Sequence, residues 1–158
     1  MGLLVKSKKK SFGKYNKLFV KNYLKPDLPF KFSKKLINFA NSSMDISDGL
    51  IKDLKSLCYA SKCGAQVNYN KLPFSKAAKI LANNKKVNLK NIFSKGDDYQ
   101  ILFTASKKKR NLINTSAKQS STKVTRVGVI TTKKNDKIDN LVEILDLTSN
   151  KIGYIHKF

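Results

Sequence analysis

The chain is short of the residues on which several kinds of chemistry depend. It has a single histidine, His156, and two cysteines, Cys58 and Cys63. Without a second cysteine pair or more histidines, that set makes neither a zinc site nor a disulfide scaffold, and both thiols are expected to be reduced. Long apolar runs are missing too: "LLV" near the start and "ILF" further on are among the longest, so no segment is long enough to span a bilayer. The opening "MGLLVKSKKK" places its apolar residues before its charges and lacks a small-residue cleavage site. It does not read as a secretory signal, and a cytoplasmic location is expected. No GxxxxGK[ST] and no GxGxxG occurs, so any nucleotide site is of another kind.

Acidic residues are also scarce, ten against thirty-three Lys and Arg, for a net charge of +23. Among those cations only Arg110 and Arg126 are arginine, the side chain whose fork reads phosphates and base edges. The lysines are spread along the whole chain instead of forming one stripe. The surplus therefore reads as a solvated basic surface before it reads as a nucleic-acid face, although such a surface still favours phosphorylated ligands.

What is present is enough for one ordinary domain, since 158 residues with 41% hydrophobic content can bury a core. An exposed or poorly ordered start is expected over residues 1–10. A helix follows over about 12–24, stopped by Pro26 and Pro29, and then a second over 32–40. "SSMDIS" reads as a short strand. Asp48-Gly49 opens the clearest helix, with Leu50, Ile51, Leu54, Leu57 and Cys58 on one face and lysines and Asp53 between them. Lys62 and Gly64 are expected to end it. "AQVNYN" alternates as a half-buried strand does, and Ser75 caps a helix over "SKAAKILANN". "YQILFTA" is a strand, Ser106 caps a helix to about 120, "KVTRVGVITT" is a strand with Gly128 at a bulge or close approach, and "LVEILDL" is the last strand. This order gives an α+β domain, a mixed β-sheet carrying packed helices.

Four of the ten acids fall in two glycine-marked turns, Asp45 and Asp48 before Gly49, and Asp97 and Asp98 after Gly96. With Asp45 ending a strand and Asp48 opening a helix, two carboxylates, the Ser47 hydroxyl and free helix N–H groups can face one point. Such a corner suits Mg²⁺ and a phosphate. An equally simple assignment makes Asp48 a helix cap and Asp45 a surface residue at a strand end. Asp97-Asp98 after Gly96 is also ordinary turn chemistry.

In order along the chain, "MDISDGLIKDL", "CGAQVNYNKLP", "KGDDYQILFT", "RVGVI" and "GYIHKF" resemble the C-terminal half of thiamine-monophosphate kinase, a family of the aminoimidazole ribonucleotide synthetase-like superfamily. "YLKPDLPF" resembles the stretch leading into that domain. The resemblance implies residues 1–30 as lead-in and 31–158 as the synthetase-like domain. It implies ATP- and Mg²⁺-dependent phosphoryl transfer to thiamine monophosphate, giving thiamine diphosphate. By position Asp45 and Asp48 correspond to Mg²⁺ ligands, Ser47 to an ATP contact, Asp97 to a substrate contact and Tyr154 to the aromatic stacking on thiamine. It also implies a partner, an N-terminal ATP-binding domain or a second copy, without which the chain is expected to be inactive. The chain departs from the pattern at Lys95, Gln100, Ile155 and Lys157. The alternatives are another ATP-dependent phosphotransferase of the superfamily and a basic nucleic-acid-binding module.

Overall fold

A computed structural model of the chain describes residues 1–93, 95–96, 99–132 and 141–145. Its elements, in chain order, are α1 (Gly2–Lys6), α2 (Asn16–Leu24), α3 (Phe30–Ser33), β1 (Ala40–Asp45), α4 (Leu50–Ala60), β2 (Cys63–Asn68), α5 (Lys76–Asn83), α6 (Leu89–Phe93), β3 (Ile101–Ala105), α7 (Arg110–Gln119), β4 (Gly128–Thr132) and β5 (Val142–Leu145). The fold is α+β, as the alternation of elements implies. Its strands divide into two sheets: β1 and β3 form an antiparallel pair, and β2 lies between an antiparallel β4 and a parallel β5.

Helix α4 joins the two sheets. Its stripe of Leu50, Ile51, Leu54, Leu57 and Cys58 is buried, and it shares one core with Ala65 and Val67 of β2, Leu102 of β3 and Leu141. Met44 and Ile46 close that core from the β1 side, and Val142 and Ile144 from the β5 side. A helix whose apolar stripe is wide enough to touch two sheets fixes their relative position. The opposite face of the β1–β3 pair carries Phe103, packed with Phe32 and Phe39 at ring separations of 5.6–5.8 Å.

That aromatic trio explains one departure from the sequence reading. The helix expected over 32–40 is not continuous. It breaks into α3 and a single 3₁₀ turn, Leu36–Asn38. Phe32 and Phe39 both turn inward onto Phe103, and Ala40 already pairs with Ala105 in the ladder. At the start of the chain residues 6–10 are exposed, as expected, but α1 packs on α2 so closely that a Cβ on Gly2 would meet the Phe19 carbonyl and Tyr23. Phe12 and Phe19 join Ala77 and Leu81 of α5 in a second core cluster.

The end of α4 is a further correction. Lys62, and not Gly64, takes the left-handed turn after the helix, at φ 52°. Gly64 sits inside β2 opposite Thr131, where strand pairing brings the two segments together. Gly128 does mark a close approach, since a Cβ there would strike the Gln66 carbonyl. Ser75 accepts a hydrogen bond from the Ala78 N–H at 3.1 Å and caps α5, and Ser106 accepts one from the Lys108 N–H at 3.3 Å. Both cysteines are free thiols, Cys58 fully buried. Burial, with the Cys63 thiol beside it, pushes the Cys58 thiol up from 9.0 to about 12.

Candidate functional site

Strand β1 ends at Asp45 and helix α4 begins at Leu50, so Asp45, Ser47 and Asp48 all lie in the crossing from the first sheet to its main helix. Side chains alternate along β1: Met44 turns toward the core, and Asp45 is exposed. Ser47 is half-buried. Asp48 is exposed, and its carboxylate forms an ion pair with Lys52 at 2.7 Å, one helical turn on. Neither carboxylate is sealed beneath apolar packing.

Asp48 does not cap α4. Gly49 stands at the cap position with φ 119° and ψ 144°, backbone that only glycine adopts readily, and no side chain caps from there. The carboxylate of Asp53 takes over instead. Its Oδ2 accepts from the Asp48 N–H and the Gly49 N–H, both at 3.1 Å, and the residue is 4% exposed. The sequence reading puts Asp53 on the polar face among the lysines. The signal was available: Asp53 lies three residues after Leu50 and four before Leu57, on the flank of the apolar stripe, and in the first turn where an anion meets the helix dipole.

The second glycine-marked turn comes to the same place. The β1–β3 ladder continues past Asp45, with the Ile46 N–H bonding to the Gln100 carbonyl at 2.8 Å and the Tyr99 N–H to the Ile46 carbonyl at 2.9 Å. Gly96 then lies directly on the Ser47 carbonyl, where any Cβ would collide with that backbone. The two turns are neighbours because antiparallel pairing of β1 with β3 puts the end of one strand beside the start of the other. Asp97, Asp98 and Tyr154 lie outside the described residues. Gln100, one of the departures, donates from its side-chain amide to the Asp27 carbonyl at 3.3 Å, a bond that a glutamate could not make.

Among the described residues, no group of three or more His, Cys, Asp or Glu is placed to hold a metal, and no helix is long and apolar enough to cross a membrane. Two exposed carboxylates still match the demands of Mg²⁺, which takes one or two of them and keeps waters and substrate phosphates for its other positions. The Lys52 ammonium would have to leave Asp48. An exposed pair one turn apart is worth only about 0.3–0.5 kcal/mol, so it is easily displaced.

No family model matches the chain. The thiamine-monophosphate kinase of Buchnera aphidicola from Schizaphis graminum is 41% identical over 128 residues, covering 78% of this chain and 39% of that one. The crystal structure of the thiamine-monophosphate kinase of Stenotrophomonas maltophilia superposes with a TM-score of 0.74 at 25% identity, over 90% of this chain and 45% of that one. AaThiL complexed with AMPPCP and TMP superposes with a TM-score of 0.73 at 24% identity, over 95% of this chain and 45% of that one.

Helices on a divided sheet, superposing as they do on such an enzyme, thus define a domain of the aminoimidazole ribonucleotide synthetase-like class. Within that class the chain belongs to the thiamine-monophosphate kinase family and corresponds to its C-terminal domain. It spans less than half the length of the relatives it matches.

Proposed function

We propose that this chain supplies the C-terminal half of an ATP-dependent thiamine-monophosphate kinase, a cytoplasmic enzyme that moves the γ-phosphoryl group of ATP onto thiamine monophosphate. The observation that carries the reading is the junction at Asp45–Gly49, with two exposed carboxylates beside the Gly96 turn, in a chain related to such kinases. AaThiL, which shares the fold, is complexed with AMPPCP and TMP.

In this reading Asp45 and Asp48 hold Mg²⁺, Ser47 contacts ATP, and Asp97 and Tyr154 contact the thiamine substrate. When bound, the metal supplies charge neutralisation as one phosphate approaches another. The chain's own contribution is positioning. Asp53 and Gly49 hold the Asp48 backbone in one conformation, and the Gly96 contact fixes Ser47 from the other side, so the carboxylates need little reorganisation to bind. The acceptor is itself a phosphate with no proton to remove, so the junction needs no general base. Completion of the site, by an N-terminal ATP-binding domain or within a homodimer, is part of the proposal.

The test mixes the chain with the N-terminal domain of a related kinase and measures thiamine diphosphate, alongside Mg²⁺ titration of the chain alone. Turnover only in the mixture, with Mg²⁺ binding and turnover both lost in Asp45→Asn, is the expected result. Restored turnover that Asp45→Asn leaves unchanged would remove the metal role.

A further inference from the structure

Among the described residues the β1–β3 sheet has two strands, and a pair alone is marginal. Its β1 side is open. Ile46 turns its backbone N–H and carbonyl toward β3, where they bond to the Gln100 carbonyl and the Tyr99 N–H. Direction alternates along an antiparallel ladder, so the backbone groups of Met44 also face β3 and those of Ser43 and Asp45 face away from it. Among the described residues, no backbone bond reaches Ser43 or Asp45 from beyond the β1–β3 pair. Both residues are exposed, whereas no residue of β3 is.

Stable folds blunt such edges with lysine, proline or a bulge. In a chain with thirty-three Lys and Arg, Ala40–Asp45 carries none, and it has no proline. Its one irregularity lies between Ala40 and Ser42, at the end away from Asp45, and pairing with β3 is regular from Ser42 to Asp45. The strand therefore carries no device at its Asp45 end against a further strand beside it.

A second copy of this chain is a poor occupant, since it would set another +23 of charge against the first. The related kinases offer a better one. This chain covers 39% of the Buchnera aphidicola kinase and 45% of the Stenotrophomonas maltophilia one, so more than half of each lies outside the matched part. A strand from that part, laid along β1, would also run past Asp45 to the carboxylate junction.

We propose that the outer edge of β1 is the docking surface for an extended segment of the kinase's N-terminal half, which adds a third strand by bonding to the backbone of Ser43 and Asp45. The inference rests on the reading of this chain as the C-terminal half and names the contact that joins the two. Main-chain hydrogen bonds hold the added strand, and its position brings the partner beside Asp45, Ser47 and Asp48.

Amide hydrogen exchange of the whole chain, alone and with the N-terminal half of the Buchnera aphidicola kinase, provides the test. In the chain alone the Ser43 amide should exchange at least tenfold faster than that of Met44, and the partner should slow Ser43 and Asp45 at least tenfold. Ser43→Pro removes the outward N–H while sparing the bonds to β3, and should weaken association at least tenfold by calorimetry. Ser43→Ala keeps that N–H and should change association less than twofold. A Ser43 amide already protected in the chain alone, protection that grows with the concentration of this chain by itself, or no association with the partner would each overturn the proposal. Turnover restored while Ser43 still exchanges freely would remove the strand contact and leave the kinase reading standing. Ser43 protected in a mixture without turnover would keep the contact and remove the kinase reading.

Discussion

Replacing Asp53 with alanine removes the acceptor that organises the whole junction. The carboxylate is buried, 4% exposed, and receives two backbone N–H groups at 3.1 Å from the residues that open α4. A hydrogen bond to a charged group contributes about 1.5–3 kcal/mol, and two bonds sharing one acceptor should contribute less than twice that. Both donors also lose that acceptor, and the first turn of α4 loses an anion near its positive end. We expect Asp53→Ala to destabilise the chain by about 3 kcal/mol, a large part of the roughly 5–15 kcal/mol that holds a domain together. In a domain of this size 1 kcal/mol moves Tm by about 2–4 °C, so thermal unfolding followed by circular dichroism should show a fall of about 6–12 °C. Asp53→Asn keeps an oxygen but loses the charge and should fall between wild type and alanine. Hydrogen exchange at the Gly49 amide should accelerate in step. A loss below about 1 kcal/mol for alanine, or an unchanged Gly49 amide, would refute the claim that this carboxylate shapes the turn.

Gly96→Ala forces a Cβ into the Ser47 carbonyl, so the two turns must separate; we expect a loss of about 1–3 kcal/mol by urea unfolding and weaker Mg²⁺ binding. Lys62→Gly puts glycine where the backbone is left-handed, φ 52°, and should raise stability by about 0.5–1 kcal/mol in the same assay. The Cys58 thiol is raised from 9.0 to about 12, so the folded chain holds its proton where an unfolded one releases it. Its stabilising contribution is complete below pH 9.0 and is lost as pH rises to about 12. The slope of stability against pH across that window should therefore be shallower in Cys58→Ala than in wild type, and Cys63 should be alkylated before Cys58.

Helical periodicity is a reliable guide where a helix buries a continuous stripe: α4 and α5 stand where their spacing places them, α5 with its expected Ser75 cap, whereas Ser106 caps a 3₁₀ turn over Lys107–Lys109 and α7 begins only at Arg110. The strands are legible from alternation, but it overstates their lengths, because a strand's hydrogen-bonded ladder ends where its partner ends: β4 begins only at Gly128, opposite Val67. The break in the helix over 32–40 was not legible. Two phenylalanines seven apart satisfy helical spacing, and only Phe103, far along the chain, demands that they converge. The left-handed turn at Lys62 escaped for a related reason, since a lysine after a helix reads as a charge complement before it reads as a backbone conformation.

By itself the sequence determined the local chemistry: four of the ten carboxylates in two glycine-marked turns, an apolar stripe along α4, and a large basic surplus. Those follow from residue type and spacing of neighbours in the chain. The tertiary structure decided which of these meet. Antiparallel pairing of β1 with β3 brought Gly96 onto Ser47 from a distant part of the chain, and burial beside the stripe turned Asp53 from a surface charge into the cap of α4. Contacts of that range depend on the register of two strands and the depth of one helix, and neither is encoded in a local pattern.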